Sequence, residues 1–413
     1  MSERRKLSMG IVGAGVGAAE ILPAMDAMEE IDLMACADVD AEVRRRFKER
    51  YPNATTYATA EELCNDPKVE AVWVSSPNRF HAQHAVLALN HGKHVVVEKP
   101  MALNLEQAQQ MVEAAERNQR QLLAGHTRAF TLPIRAMRKI ILSGRLGKVQ
   151  AIHLMAYSDW MLRPRTADEL DLAQGGGIPY RQGPHQIDTV RLLGGGMLRS
   201  VRGATGQWMP ERSIPGYYSA FLEFEDGTPA TIIHNGYGYF LGAELVPWGV
   251  SKQRYNIEER AAVRKSMRDG TRDEFQDKQD LRIGGRLERE IFREREPEPW
   301  VPEDLGLVIV SCERGDLRHS KYGLYIYDDN GLTDISTEAG RDMGPVQRRA
   351  ELEELYDGVV LGKPVFHNGR WGMATLEACL ALMESGKERR EIMLRHQVPV
   401  DASYDAELAI PGI

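Results

Sequence analysis

Lys99 stands at the end of the run His94-Val95-Val96-Val97-Glu98-Lys99-Pro100. Three consecutive valines read as a strand buried on both faces, of the kind found in parallel sheets. The carboxyl end of such a strand is where open α/β sheets hold their ligands. Burial and a neighbouring cation can bring a lysine down from its reference pKa of about 10.4, so Lys99 can take a proton from a bound hydroxyl. A second proton-transfer group is His185, in Gly183-Pro184-His185-Gln186-Ile187-Asp188. Gly183 and Pro184 suit the cap and first position of a helix, with Ile187, Val190 and Leu193 on its apolar face and Gly194 at its end. His185 and Asp188, three apart, then share one face near the helix start. A histidine begins near pH 6.5, about where such a group must work, and needs less adjustment than a lysine. The spacing does not decide which of the two is the immediate base.

A cation precedes the histidine. Arg181 cannot act as a base, but its planar fork binds a carboxylate bidentately. It either orients an acidic substrate, pairs with a local acid such as Asp188, or points to solvent. Trp160, Arg163 and Arg165, on the loop after a strand, add an aromatic wall and further cations. The triple glycine Gly175-Gly176-Gly177 lets the backbone approach a ligand closely or take a positive φ.

Near the N-terminus the apolar segment Leu7 to Val12 leads into Gly13-Ala14-Gly15-Val16-Gly17-Ala18 and then an apolar helical pattern. This is the G-x-G-x-x-A form of the dinucleotide fingerprint. Gly13 permits the turn, Gly15 lets the backbone approach a pyrophosphate, and Ala18 keeps helix and strand close. The helix then begins at Val16, with free N–H groups and its positive dipole end toward the phosphates. Asp38 follows a second strand, Leu33 to Ala37. An acid there can accept a hydrogen bond from a ribose 2′-OH and would repel a 2′-phosphate, so NAD is favoured over NADP.

The rest of the chain must position these groups. Strand and helix signals alternate to about residue 125, which predicts a doubly wound parallel sheet. Beyond it, strand candidates recur without helical crossovers: Lys148 to Tyr157, Arg199 to Gly206, Tyr217 to Phe224, Pro229 to Tyr237, Leu305 to Cys312 and Gly323 to Tyr327. The fold class is therefore α/β: residues 1–126 as a Rossmann domain with a parallel sheet, and 127–413 as an α+β domain with a large, predominantly antiparallel sheet. Residues 251–300 are dense in charge and read as a solvated insertion. Helices over Gln347 to Leu361 and Met373 to Ser385 return to pack on the first domain or the back of the sheet.

The 413 residues carry a net charge of −8 and 43% hydrophobic content. Such a balance gives no reason to expect nucleic acid or an anionic membrane as partner. Four scattered cysteines and no C-x-x-C pair speak against disulfides and a metal site. The charged start without an apolar core, and the lack of a membrane-length apolar run, lead to the expectation of a cytoplasmic protein.

The combination of the N-terminal glycine motif, Ser75-Ser76-Pro77-Asn78 with His81, Glu98-Lys99-Pro100, and Gly-Gly-Gly…Gly-Pro-His185-Gln-Ile-Asp188 resembles the Gfo/Idh/MocA oxidoreductases, the family of glucose–fructose oxidoreductase and inositol dehydrogenase. The resemblance spans nearly the whole chain. It implies NAD-dependent oxidation of a secondary alcohol, with Lys99 and His185 acting at the hydroxyl. It also implies that Ser76, Asn78, His81 and Glu98, with Lys99, line the nicotinamide half of the cofactor, and that the second-domain sheet serves a homo-oligomer, a dimer or tetramer. Members that oxidise sugars and inositols commonly carry an aspartate where this chain has Arg181, and the departure points to an anionic, carboxylated small molecule. Within the family, Gly206-Gln-Trp-Met-Pro-Glu-Arg212, His234-Asn-Gly-Tyr-Gly-Tyr239 and the charged insertion resemble the phthalate cis-dihydrodiol dehydrogenases of aromatic degradation. The implied substrate is 4,5-dihydro-4,5-dihydroxyphthalate, oxidised to the catechol, with Arg181, Asp188, Trp160 and Arg163 as its contacts. The rivals are a sugar or inositol dehydrogenase of the same fold and a non-catalytic NAD-binding sensor; retention of both Lys99 and His185 speaks against the sensor.

Overall fold

The structure is a computed structural model and describes residues 5–125, 127–248, 255–282, 285, 299–337, 348–401, 403–405, 408 and 410. It divides into two compact units, the first comprising residues 1–127, 275–294 and 344–376, the second the remainder.

In the first unit six strands form one parallel sheet: β1 (Leu7–Val12), β2 (Ile31–Ala37), β3 (Thr55–Tyr57), β4 (Ala71–Val74), β5 (His94–Glu98) and β6 (Leu122–Gly125), in the order β3-β2-β1-β4-β5-β6. Between them run α1 (Val16–Asp26), α2 (Ala41–Arg50), α3 (Ala60–Cys64), α4 (His81–Asn90) and α5 (Leu105–Asn118). After β3 the chain crosses to the other side of β1 and continues with β4. The carboxyl ends of β1 and β4 therefore flank the topological switch point, where such sheets bind ligands. Val95, Val96 and Val97 are completely buried, as an inner parallel strand demands. Each contributes roughly 1.5 kcal/mol or more through burial. The helix α2 and strand β3 carried too few apolar residues to announce themselves: only Val43 and Phe47 of α2 are buried, and β3 has three residues at the sheet edge.

The second unit holds a nine-stranded sheet of β7 (Val149–Tyr157), β8 (Leu198–Gly206), β9 (Tyr217–Phe224), β10 (Pro229–Asn235), β11 (Leu307–Cys312), β12 (Gly315–His319), β13 (Gly323–Asp328), β14 (Gly331–Ser336) and β15 (Ile392–Met393). Their order is β14-β13-β12-β11-β7-β10-β9-β8-β15. Every pairing is antiparallel except β7 with β10, the two central strands. Strand β10 alternates half-buried and buried residues, the period-two signature of a sheet covered on one face. Its helices are α6 (Leu132–Leu142), α7 (Ile178–Arg181), α8 (Gly183–Gly194) and α9 (Ile257–Arg268), while α10 (Glu274–Gln279) belongs, but for Glu274, to the first unit. Helix α8 packs on β7 and β10. It is not amphipathic as its spacing suggested, because every residue from Gly183 to Leu193 is buried. The charged segment 251–300 contains α9 and α10; its residues 251–254, 283–284 and 286–298 lie outside the described residues.

Two helices follow. In the first unit, α11 (Arg349–Val360) buries Leu352, Leu355 and Tyr356 in the same core as Met9, Ile11, Trp73 and Val96. Gln347, expected at its start, lies outside the described residues. Helix α12 (Gly369–Glu388) gives its first turns to the first unit and the rest to the second. Among the described residues, no helix is long and apolar enough to cross a membrane, and no group of three or more His, Cys, Asp or Glu side chains could hold a metal ion.

Candidate active site

The loop after β1 has the form a dinucleotide needs. Gly13 adopts φ +89, and a Cβ there would lie 2.6 Å from the Ser76 backbone nitrogen, so only glycine fits. At Gly15 a Cβ would meet nothing within 4 Å: the loop presents bare backbone to open space. Gly15 is also the cap of α1, and no side chain caps that helix, which leaves its first N–H groups for an anion. Ala18 is fully buried against the sheet. Asp38 follows β2, and its Oδ2 accepts from the Ala14 N–H at 2.9 Å while Oδ1 accepts from Asp40 N–H at 2.9 Å. The carboxylate thus stands beside the glycine loop, part-exposed, where a ribose would lie. Arg44 of α2 donates to the Asp38 carbonyl at 2.6 Å.

The strand ends beside that loop gather the residues predicted around the nicotinamide. Ser75 Oγ donates to the Gly13 carbonyl at 2.7 Å. Ser76 and Asn78 are buried at the turn after β4, and Ser76 Oγ lies 2.9 Å from His84 Nδ1. His81, the first residue of α4, is 1% exposed, with Nδ1 2.7 Å from the Pro100 carbonyl and Nε2 2.7 Å from the Ser76 carbonyl. Carbonyl oxygens only accept, so both contacts are hydrogen bonds only when the ring carries both protons. His81 therefore braces two turns of backbone, with both nitrogens occupied. Glu98 ends β5, its side chain lying against Gly17 in the first turn of α1 and accepting a hydrogen bond from Arg348 Nη1. Burial alone would raise its pKa, but the charge and hydrogen bond of Arg348, helped by Lys99 and His81, hold the carboxyl below its ordinary range. Lys99 follows, half-buried, joined to Pro100 by a cis peptide bond.

In the second unit, His185 is 6% exposed in the first turn of α8. The cap is Gln182, one residue earlier than Gly183, so Gly183 and Pro184 are the first two helical residues. The next residue, Gln186, ties this turn to the sheet: its Nε2 donates to the Leu305 carbonyl at 2.9 Å and its Oε1 accepts from Tyr218 at 2.7 Å. Asp188 is completely buried, where it carries a charge felt by Arg191. That burial removes it from direct substrate contact and gives it a supporting place.

The loop Trp160–Arg165 also differs from expectation. Arg163 donates from Nε to Asp159 at 2.9 Å, and from Nη1 and Nη2 to Asp304 at 2.9 and 2.8 Å. Burial would raise the Asp304 carboxyl, but the charge of Arg163 outweighs it and holds it far below the carboxylate range. With three of its five donors taken by two carboxylates, Arg163 is a support rather than a substrate hand. Trp160 is 2% exposed and covered by the Arg165 guanidinium, 3.6 Å from its ring centroid, so it forms no open aromatic wall.

Arg181 does meet a local acid, but Glu169 rather than Asp188. Its Nη2 donates to Glu169 Oε1 at 3.2 Å, and Arg165 Nη1 donates to the same oxygen at 3.2 Å. The triple glycine explains how Glu169 comes so close. A Cβ on Gly176 would lie 2.5 Å from the Glu169 carbonyl, so the close approach is to the chain itself. Two guanidinium groups share one carboxylate. Burial draws the Arg165 pKa down; Glu169 opposes that, while the charges of Arg181, Arg163 and Arg212 add to it. At Glu169 two guanidinium groups face one carboxylate, while Arg163 is matched by Asp159 and Asp304 and Arg212 by Glu274.

The profile of the oxidoreductase family with an NAD-binding Rossmann fold, Gfo/Idh/MocA, matches residues 7–126, and that of the Gfo/Idh/MocA C-terminal domain matches 134–239. A 1-carboxy-3-chloro-3,4-dihydroxycyclohexa-1,5-diene dehydrogenase of Comamonas testosteroni is 32% identical over 388 residues, covering 92% of this chain and 95% of that protein. The chain belongs to the Gfo/Idh/MocA oxidoreductases. It is an NAD-dependent dehydrogenase of that family. A solved structure from Bordetella bronchiseptica RB50, assigned as a dehydrogenase, is 33% identical with a TM-score of 0.85, covering 94% of this chain and all of that one. The NADP-dependent scyllo-inositol 2-dehydrogenase of Bacillus subtilis is 25% identical over 406 residues, covering 95% of this chain and 98% of that protein.

For this Gfo/Idh/MocA enzyme, the bare loop at Gly15, the uncapped α1 and the acid at Asp38 fit NAD. Asp38→Ser is expected to raise the NADP-to-NAD ratio of kcat/KM by about tenfold or more, since it removes a like charge and leaves Arg44 nearby. Steady-state kinetics with both cofactors measures this. An unchanged ratio would mean that Asp38 does not face the ribose. Sequence spacing did not find Arg348, because it meets Glu98 only through the fold, nor Glu169, whose i,i+4 spacing from Arg165 was open to reading.

Proposed function

We propose that this dehydrogenase oxidises a carboxylated cis-dihydrodiol to the corresponding catechol, with 4,5-dihydro-4,5-dihydroxyphthalate as the specific substrate. The observation that carries this reading is the paired guanidinium groups of Arg165 and Arg181 on a single carboxylate, Glu169. The planar fork of Arg181 suits a ring carboxylate. The Comamonas testosteroni relative, named for a carboxylated dihydroxycyclohexadiene, supports the same substrate class. That name has one carboxylate, and the phthalate diol carries a second.

NAD, held by the Gly13–Ala18 loop, the start of α1 and Asp38, would supply the acceptor for the carbinol hydrogen and its electron pair. Lys99 or His185 takes the hydroxyl proton, directly or in relay. The product of that two-electron step is a hydroxy-enone, which tautomerises to the catechol; aromatisation makes the oxidation strongly favourable. Glu98 and His81 fix the turn that carries Lys99, and Gln186 fixes the turn that carries His185. The enzyme works as a cytoplasmic homo-oligomer on this reading, with the broad second-unit sheet as its contact.

The Bacillus subtilis relative favours a second reading, oxidation of inositols or sugars. NAD reduction across a panel of carboxylated dihydrodiols and neutral polyols separates the two. Turnover of the dihydrodiols with little or none of the polyols supports the proposal, and the reverse pattern contradicts it.

A further inference from the structure

We propose that Arg348 is a positioning residue that sets the proton affinity of Lys99 by neutralising Glu98. A carboxylate next to a lysine favours the ammonium form, which is the wrong form for accepting a proton. Glu98 is that carboxylate: it ends β5, immediately before Lys99, and is 7% exposed. Arg348, just before α11, is 5% exposed. Its Nη1 donates to Glu98 Oε1, and its guanidinium lies over the Trp73 ring, 5.3 Å from the centroid.

Among the described residues, Glu351, Glu20 and His81 also bear on this pair. From α11, Glu351 lies 3.7 Å from Arg348 Nε. From α1, Glu20 is near enough to act on Arg348. From α4, His81 is held between the Ser76 and Pro100 carbonyls. Glu351 and Glu20 bear on the guanidinium, while Glu98 takes its direct hydrogen bond. Arg348 thereby offsets the Glu98 charge that Lys99 feels, which favours loss of the lysine proton. Chain distance hides this arrangement: 250 residues separate the two partners.

The consequence for turnover rests on Lys99 as a proton acceptor, but the electrostatic coupling does not, and it can be read in the free protein. The full chain is pulse-labelled with an amine acetylating reagent over a pH series, and the acetylated Lys99 peptide is quantified by mass spectrometry. Because only the neutral amine reacts, the midpoint reports the Lys99 proton affinity. Arg348→Met is expected to raise that midpoint by about one pH unit or more, since the Glu98 charge then acts on Lys99 without its own counter-ion. Glu98→Gln in the same background is expected to return it to near the native value, and Arg348→Lys to hold it there. Glu98→Gln alone, with Arg348 intact, is expected to lower it; this single variant keeps the test open if Arg348→Met does not fold. A merely structural Arg348 would lower the melting temperature without moving the midpoint. A folded Arg348→Met with an unmoved midpoint, or an unmoved midpoint in Glu98→Gln, overturns the proposal. Failure of the Lys99 role itself would show separately, as retained turnover in Lys99→Ala.

Discussion

Lys99→Ala is expected to lower kcat by about 10²- to 10⁴-fold, the range that a positioned general base contributes, while NAD affinity changes by no more than a few fold. The asymmetry follows from placement. The phosphate loop at Gly13–Ala18 and the acid at Asp38 stay intact, whereas the amine proposed to accept the proton, just after β5, is gone. Lys99→Arg is expected to be no better, because a guanidinium keeps its proton at any working pH. Rapid-mixing turnover together with NAD titration by fluorescence gives both quantities. A kcat within tenfold of native would assign the proton to His185 alone.

Arg181→Leu is expected to reduce kcat/KM for a carboxylated dihydrodiol by about 10- to 100-fold, mostly through KM. A charge-assisted bond to an ionised group contributes about 1.5–3 kcal/mol, and each 1.4 kcal/mol is a factor of ten. Glu169 would not be stranded by the change, since it still meets Arg165 and the N–H and hydroxyl of Thr166. A neutral polyol, if turned over at all, should be affected by no more than a few fold. Equal losses on charged and neutral substrates would mean that Arg181 holds the loop together and does not read the carboxylate.

The sequence made the strand-end lysine and the dinucleotide loop visible because both are local: a buried valine strand and a turn that only small residues allow. Six of the second-unit strands were visible for the same reason, through alternation. What stayed hidden is of two physical kinds. Short or exposed strands lack the pattern; β14 buries one of its six residues and β15 has only two residues. Ion pairs across long stretches of chain have no local signature: Arg163 reads as a free cation until Asp304 is seen beside it, and Glu98 reads as a ligand contact until Arg348 is seen holding it. The triple glycine suggested room for a ligand, but the room is filled by the Glu169 backbone. The same residues that misled about Arg163 and Trp160 explain how the loop around Arg165 is kept rigid.

The most direct measurement incubates the purified enzyme with NAD and 4,5-dihydro-4,5-dihydroxyphthalate and follows reduced cofactor and aromatic product together. The expected result is one catechol dicarboxylate formed for each NADH, with a matched dihydrodiol lacking carboxylates turned over far less efficiently. NADH formation that is equally efficient with the uncharged ring, or that appears only with polyols, would contradict the account.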